Sequence, residues 1–143
     1  MEKSPFILIV DDDPDDIFML SNALMLKDPS IKIVEAYDGE AALTLLDEMI
    51  ASLDLPDLII VDINMPVMDG RQFLNILKSR PETKDIRAIM YTSSSNLFDK
   101  MHAQSLNAEL IVKPSLPDKL NKLAHKLIGW ARERAEKQSE ERI

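Results

Sequence analysis

Three aspartates, a threonine and a lysine stand where hydrophobic runs of this sequence end. Asp11 and Asp12 follow the first apolar run, and Asp62 ends a later one. Thr92 and Lys113 close two further runs. If the runs are parallel strands, their carboxyl ends meet at one edge of a sheet, which is where open α/β sheets bind ligands. The sequence therefore predicts one site that combines carboxylates, a hydroxyl and an ammonium group.

Neighbouring carboxylates repel one another, so the predicted site requires a cation or bound protons. Magnesium suits it, because this ion takes oxygen ligands, often one or two carboxylates together with phosphate oxygens and water. A calcium loop of the EF-hand type beginning at Asp11 would need glycine at its sixth position and glutamate at its twelfth. The chain has Asp16 and Asn22 at those positions, which excludes that alternative.

A carboxylate beside a metal ion can attack phosphorus when fixed cations neutralise the transferring group. Asp62 is the predicted nucleophile because it ends the central hydrophobic run. Lys113 would supply a cation, and the Thr92 hydroxyl a hydrogen bond, to the phosphoryl oxygens. The predicted product is an acyl phosphate on Asp62, and the predicted cofactor is Mg²⁺.

Short runs rich in Ile, Leu and Val alternate with segments of helical periodicity. Most of the runs are continuously apolar, which is typical of strands buried on both faces of a sheet. The alternation predicts a doubly wound α/β fold, with five parallel strands and helices on both faces. The runs are FILIV, IKIVEA, DLIIVD, IRAIMYT and AELIVK. The predicted inward helix positions are Ile17, Leu20, Leu24, Ala42, Leu45, Leu46, Met49, Phe73, Leu74, Leu77, Leu116, Leu120, Leu123, Leu127 and Ala131.

The other acids after the first run have a structural interpretation. Asp13 is predicted to cap a helix whose first residue is Pro14. Asp15 and Asp16 would then complement the positive end of that helix. Gly70 is predicted to relax the loop before the third helix, where backbone freedom is needed.

Length and composition predict one folded domain. The chain has 143 residues, 45% hydrophobic and 29% charged, a balance typical of globular domains. Its formal net charge of -8 disfavours a nucleic-acid partner. The first apolar run, five residues long, is too short for a signal peptide or membrane span. No cysteine is present, which fits a reducing compartment. We therefore expect a cytoplasmic protein with no membrane or nucleic-acid partner.

From residue 5 to about residue 130, the sequence resembles the receiver domains of two-component response regulators. The resemblance rests on motifs that occur in the family's order and spacing: ILIVDDDP, LIIVDINMPVMDG, YTSSS and IVKP. It implies a flavodoxin-like (βα)5 fold with Asp62 as the phosphoacceptor. It also implies that Asp12 binds magnesium directly and Asp11 mostly through water, and that the backbone carbonyl of Asn64 completes the protein ligands.

In such receivers the donor is a phosphohistidine on a sensor histidine kinase or a phosphotransfer protein, and the receiver itself catalyses the transfer. Thr92 and Lys113 are then expected to bind phosphoryl oxygens, and the Lys113–Pro114 peptide bond to be cis. Leu110 stands where receivers usually carry Tyr or Phe, so the usual coupling through an aromatic ring at this position is not expected.

The resemblance also implies an organisation and partners. We expect a single receiver domain over residues 1–143, with a core over about 5–130 and a charged helix extension or tail over 131–143. The chain would act as a signalling protein and not as an enzyme, and would signal through a downstream protein target. Relatives form symmetric dimers through the fourth and fifth helices and the fifth strand, which makes that face a candidate homodimer surface.

A magnesium-dependent phosphohydrolase of the haloacid dehalogenase type is the alternative from another class. Asp11 would be its nucleophile and Asp13 its acid. That class needs a further acidic pair after its lysine, whereas Asp118 alone stands between Lys113 and the helical tail. A receiver fold kept only as a docking module is a third alternative, but it would have lost one of the site's acids or the lysine, and all are present.

Overall fold

The computed structural model describes residues 3–94 and 96–141, so Ser95 of the YTSSS motif and two residues at each terminus lie outside it. Strands and helices alternate along the chain. The strands are β1 (Phe6–Val10), β2 (Lys32–Ala36), β3 (Leu58–Val61), β4 (Arg87–Thr92) and β5 (Glu109–Val112). The helices are α1 (Pro14–Lys27), α2 (Gly39–Ser52), α3 (Gly70–Ser79), α4 (Leu97–Ser105) and α5 (Pro117–Glu141).

The strands form one parallel sheet in the order β2-β1-β3-β4-β5. Apolar side chains of α1 and α5, such as Leu20 and Leu127, pack on one face of the sheet. Those of α2, α3 and α4, such as Leu46, Phe73 and Ala103, pack on the other. The predicted doubly wound α/β fold is confirmed. The strand order reverses between β1 and β3, so a ligand crevice is expected at their carboxyl ends.

Burial on both faces is restricted to the middle of the sheet. Every residue of β1 and β3 is buried, and so is nearly all of β4. The outer strands β2 and β5 consist mostly of half-buried and exposed residues. The prediction of full burial is therefore wrong for these two strands, because an edge strand has a neighbour on one side alone and helices cover it incompletely.

Capping side chains fix where the helices begin. Asp13 accepts a hydrogen bond from the Asp15 N–H, and Pro14 is the first residue of α1, as predicted. The last helix begins at Pro117. An N–H in the first turn of a helix has no partner within the helix, so proline, which lacks an N–H, loses no hydrogen bond there. Leu116 consequently lies outside α5 and is 55% exposed, so its predicted inward position is wrong.

The packed part of α5 continues into the charged segment. Ala131 and Ala135 are buried, and they extend the inward stripe of Leu127 at helical spacing. Arg132 forms an ion pair with Asp28, which follows α1. The core therefore reaches Ala135, one turn beyond the boundary expected from the sequence. Among the described helices, none combines the length and hydropathy that crossing a membrane demands.

Leu53 ends α2 in the left-handed backbone region, with φ of 58°. Its N–H bonds the Ile50 carbonyl, and the next N–H, of Asp54, bonds the Met49 carbonyl. This pairing usually has glycine at the left-handed position, since a Cβ is disfavoured there. The Leu53 side chain is 79% exposed, so its loss costs little packing.

We therefore expect Leu53→Gly to raise the free energy of unfolding by about 1 kcal/mol, measured by urea denaturation. Leu53→Ala is the matched control, because it removes the same apolar side chain but keeps the Cβ. The explanation is wrong if alanine stabilises the protein as much as glycine does.

Candidate functional site

β1 and β3 place two carboxylates side by side. Val10 pairs with Val61 in the parallel register, so Asp11 and Asp62 leave the sheet at the same level. The Asp62 N–H donates to the Val10 carbonyl at 2.8 Å, and the Asp11 N–H donates to the Ala36 carbonyl at 3.0 Å. These backbone bonds hold both residues at the crevice where the strand order reverses.

Asp12 joins these two residues in an acidic cluster. Asp11, Asp12 and Asp62 each offer a carboxylate oxygen, and the three atoms lie within 4.8 Å of one another. Asp11 and Asp62 are buried, whereas Asp12 is exposed. This donor set fits a hard divalent cation, because carboxylate oxygens bind it on one side while the exposed side admits water and phosphate oxygens.

The cluster is costly to ionise without a cation. Burial raises the pKa of Asp62 to about 7; the charge of Asp11 adds to the rise, and Lys113 opposes it. Burial also raises the pKa of Asp11, although a hydrogen bond from Lys113 works against the rise. A divalent cation would favour the ionised carboxylates and displace their protons.

Lys113 extends from the end of β5 into the same cluster. Its Nζ donates to Asp11 Oδ2 and to Asp16 Oδ2, each at 2.8 Å, and lies 3.8 Å from Asp62 Oδ1. Burial by itself lowers the pKa of Lys113, but hydrogen bonds from its ammonium group to Asp11 and Asp16 raise that pKa above its ordinary value. The lysine is therefore a fixed cation beside Asp62.

The Lys113–Pro114 peptide bond is trans, as is every peptide bond in the part of the chain that the structure describes. The expectation of a cis bond is therefore wrong for this structure. The trans form of an X-Pro bond is intrinsically favoured by about 0.5–1 kcal/mol. With this bond trans, Lys113 already reaches Asp11, so its contact with the acids does not require the cis form.

Asp16 is a member of the site that the sequence interpretation misses. It was assigned to the helix end alone, yet its carboxylate pairs with Lys113. Helical spacing carried a usable signal, because residues four apart share one face. Asp16 lies four residues before the buried Leu20, whereas Asp15 lies four before the exposed Met19.

Thr92 and Asn64 lie near Asp62 on adjoining segments. The buried Thr92 hydroxyl donates to the Ser94 carbonyl at 2.8 Å, and the Thr92 carbonyl accepts from the Lys113 N–H at 2.6 Å. Asn64 is exposed, and its backbone N–H acts to lower the pKa of the Asp62 carboxyl. The proposed contacts of the Thr92 hydroxyl with a phosphoryl group and of the Asn64 carbonyl with a metal stay predictions.

Gly70 begins α3 directly against the end of β3. Its φ is not positive, so the predicted need for backbone freedom is wrong. Close approach explains the glycine instead: a Cβ added there would overlap the Asp62 carbonyl oxygen and lie 2.8 Å from Ile63 Cα. The Gly70 N–H also bonds the Ile63 carbonyl at 2.8 Å. Gly70 thus closes the loop that carries Asp62.

An ion pair joins α4 to α3. Asp99 accepts two hydrogen bonds from the Arg71 guanidinium, at 2.6 and 3.0 Å, and is 3% exposed. Ala103 is the other buried side chain of this helix. Leu110 packs half-buried against the core cluster that contains Ala103. The outer face of α4 exposes Phe98 and its neighbours.

Comparisons with known proteins agree with this geometry. The chain matches the family model described as the response regulator receiver domain over residues 7–125. It is 37% identical over 113 residues to a probable cyclic di-GMP phosphodiesterase of Vibrio cholerae. The matched segment covers 78% of this chain and 24% of that protein. The chain spans less than half the length of several curated relatives that it matches.

Two solved structures share the fold along nearly their whole length. The Mn²⁺-bound form of response regulator Rcp1 has a TM-score of 0.73 at 27% identity, with 85% of this chain and 90% of that one covered. The phosphorylated cyanobacterial phytochrome response regulator RcpA has a TM-score of 0.74 at 29% identity, with coverage of 89% and 91%. Because the family match takes in most of its length, this chain belongs to the receiver domains of two-component response regulators.

Proposed function

We propose that Asp62 accepts a phosphoryl group from a phosphohistidine of a sensor histidine kinase or phosphotransfer protein, beside a magnesium ion held by Asp11, Asp12 and Asp62. One observation carries this proposal. Asp62 shares the crevice between β1 and β3 with two further carboxylates, and the Lys113 ammonium nitrogen lies 3.8 Å from its Oδ1. A nucleophile, a metal site and a fixed cation therefore meet at one point.

The transfer follows from this arrangement. A carboxylate oxygen of Asp62 attacks phosphorus, the phosphorus–nitrogen bond of the donor breaks, and its electron pair returns to the imidazole, which takes up a proton. The bound magnesium ion would supply positive charge to the phosphoryl oxygens. The Lys113 ammonium would donate to one of those oxygens, and the Thr92 hydroxyl, after leaving the Ser94 carbonyl, to another.

Incubation with acetyl phosphate and Mg²⁺, followed by intact-mass measurement, tests the proposal. Wild-type protein is expected to gain one phosphoryl group, and Asp62→Asn none, because an amide is not a nucleophile toward phosphorus. Removal of Mg²⁺ with a chelator should also abolish the gain. Equal labelling of the wild type and Asp62→Asn would contradict the assignment of Asp62.

Magnesium is the proposed ion, since receivers bind a divalent metal at their acidic pocket and the structure of the relative Rcp1 is described as Mn²⁺-bound. Asp12 is exposed, so its replacement should leave the fold intact. We expect Asp12→Asn to weaken Mg²⁺ binding by about tenfold or more, because it removes a charged ligand. Isothermal titration with Mg²⁺ measures the change.

Asp15→Asn is the matched control for that experiment, as it removes an equal charge from an exposed position outside the acidic cluster. An Asp12→Asn variant that binds Mg²⁺ no more weakly than Asp15→Asn would exclude Asp12 as a ligand.

The alternative phosphohydrolase fits the geometry poorly. Its nucleophile would be Asp11, but that carboxylate already accepts hydrogen bonds from Lys113 and from the Asp13 N–H. Its acid would be Asp13, which caps α1. Asp62 would have no role. Repeated turnover of a small phosphate ester would support this alternative over stoichiometric labelling.

We further propose that the chain signals through a downstream protein target and is not itself an enzyme acting on a separate substrate. The apolar side chains that α4 and β5 expose support the proposal that this face binds the target. They also support the predicted homodimer through α4, β5 and α5. These side chains are Leu97, Phe98, Met101 and Val112. The single-domain organisation over residues 1–143, the cytoplasmic location and the lack of nucleic-acid and membrane partners stay predictions.

A further inference from the structure

We infer that Asp16 is a positioning residue that holds the Lys113 ammonium group toward the phosphoryl position; this inference rests on the proposed function of Asp62. The observation behind it is a three-way arrangement of the ammonium nitrogen. Nζ donates to Asp11 and Asp16 at 2.8 Å each, with Asp62 Oδ1 3.8 Å away. An ammonium group has three N–H donors, so the two short bonds leave one donor for an oxygen at Asp62.

Lys113 needs a second carboxylate partner because Asp11 has two possible cationic partners, the lysine and a metal ion. Asp11 is also one of the proposed metal ligands. A bound divalent cation competes with the ammonium group for that carboxylate, and its positive charge repels the ammonium group. Lysine has a long flexible stem, so an ammonium group held by Asp11 alone could turn away from the site. The Asp16 carboxylate lies outside the acidic metal cluster and can retain Lys113 while the metal occupies Asp11.

The position of Asp16 is itself fixed. It lies in the first turn of α1, which begins at Pro14 and is capped by the Asp13 side chain. An acidic side chain there complements the positive end of the helix. The pair joins α1 to the residue after β5, across 97 positions of sequence. The Asp16 side chain is 35% exposed, whereas that of Lys113 is 13% exposed, so Asp16 holds the lysine from the solvent side.

Asp15 shows that this is not a general property of acids at the helix end. It belongs to the same turn and carries the same charge, but it is exposed and faces away from the sheet. Among the described residues, Lys113 forms an ion pair with Asp16 and none with Asp15. Asp15→Asn therefore changes the net charge and the helix-end electrostatics as Asp16→Asn does, without touching the lysine.

The test compares Asp16→Asn with Asp15→Asn. Each purified variant and the wild type are incubated with acetyl phosphate at saturating Mg²⁺, and the rate of phosphoryl gain is followed by intact mass. We expect Asp16→Asn to be slower by about tenfold, because the phosphoryl-binding cation is no longer held in place. Asp15→Asn should stay within about twofold of the wild type.

Further readouts separate the positioning of Lys113 from an effect on the metal site. Affinity for fluoroberyllate, a mimic of the phosphoryl group, should fall with the rate in Asp16→Asn, whereas the Mg²⁺ affinity should match that of Asp15→Asn. The Lys113 ammonium signal in ¹⁵N NMR, which requires protection from exchange with water, should be lost in Asp16→Asn and kept in Asp15→Asn.

Equal rates and equal fluoroberyllate affinities in the two variants would overturn the inference while leaving Asp62 as the phosphoacceptor. A wild-type protein that gains no phosphoryl group, or gains it at another residue, would overturn the proposed function and this inference with it. A lower rate in Asp16→Asn together with an equally lowered Mg²⁺ affinity would also overturn it, since Asp16 would then act on the metal and not on Lys113.

Discussion

Asp62→Asn is expected to stabilise the metal-free protein at pH 8 by up to roughly 4 kcal/mol, and to have little effect on stability near pH 4. The reason is the pKa of Asp62, which burial raises from 3.8 to about 7. Each pH unit between the unfolded and the folded pKa corresponds to about 1.4 kcal/mol. The neutral amide avoids the cost of ionising a buried carboxyl beside Asp11.

The sign follows from proton binding. Between pH 3.8 and about 7 the folded protein holds a proton on Asp62 that the unfolded chain has released. The contribution of this group is therefore fully present below the unfolded pKa and is lost as the pH rises through the folded pKa. Urea denaturation of both proteins in a chelator, at several pH values, gives the difference directly.

Magnesium should narrow this difference. Because a ligand that binds only the folded state adds to stability, saturating Mg²⁺ is expected to stabilise the wild type at pH 8 more than Asp62→Asn. A difference between the two metal-free proteins that does not change from pH 4 to pH 8 would show that Asp62 ionises without the predicted cost.

Gly70→Ala is expected to lower the free energy of unfolding by about 3 kcal/mol, since overpacking a rigid site forces backbone shifts. The new methyl group would overlap the Asp62 carbonyl oxygen and press on Ile63 Cα. Neither is the far end of a flexible side chain, so the loop must move. Phosphorylation should slow as well, because the displaced backbone carries Asp62.

Gly129→Ala provides a matched control for Gly70→Ala. Gly129 lies within α5, is exposed, and has no heavy atom within 4 Å of an added Cβ among the described neighbours. Alanine should therefore stabilise the helix by about 1 kcal/mol at that position. Denaturation curves of both variants give opposite shifts if the close approach at Gly70 is real, and similar shifts if it is not.

The sequence predicted what depends on local pattern. Apolar runs separated by helical spacing were enough to predict the parallel sheet, because strands and helices have different periods. The residue types of Asp13, a capping residue, and Pro14, a first-turn residue, were enough to predict the start of α1. Asp11 and Asp62 were expected together because each follows a buried strand, and the parallel register places them at one level.

Features that depend on neighbours distant in sequence escaped prediction. The contact between Asp16 and Lys113 joins elements at opposite ends of the chain. The reason for Gly70, a close approach to Asp62, cannot be distinguished by residue type from a need for unusual backbone angles. Exposure of the edge strands likewise depends on sheet order, although the charged residues Lys32, Glu35 and Glu109 were a local signal that set β2 and β5 apart from the wholly apolar β1 and β3.

A physical connection between the site and the surface of α4 runs through α3. Leu110 packs half-buried beneath α4, while the Arg71–Asp99 ion pair ties the start of α4 to α3. Because α3 begins at Gly70, this pair links the loop that carries Asp62 to the exposed apolar face of α4.

Chemical trapping locates the phosphoryl group, which we propose resides on Asp62. Sodium borohydride reduces an aspartyl phosphate to homoserine, which peptide mass spectrometry then locates. After treatment of the wild type with acetyl phosphate and Mg²⁺, we expect homoserine at position 62 and at no other position. Homoserine in place of Asp11 or Asp12, or phosphoryl gain with no conversion at Asp62, would contradict this assignment.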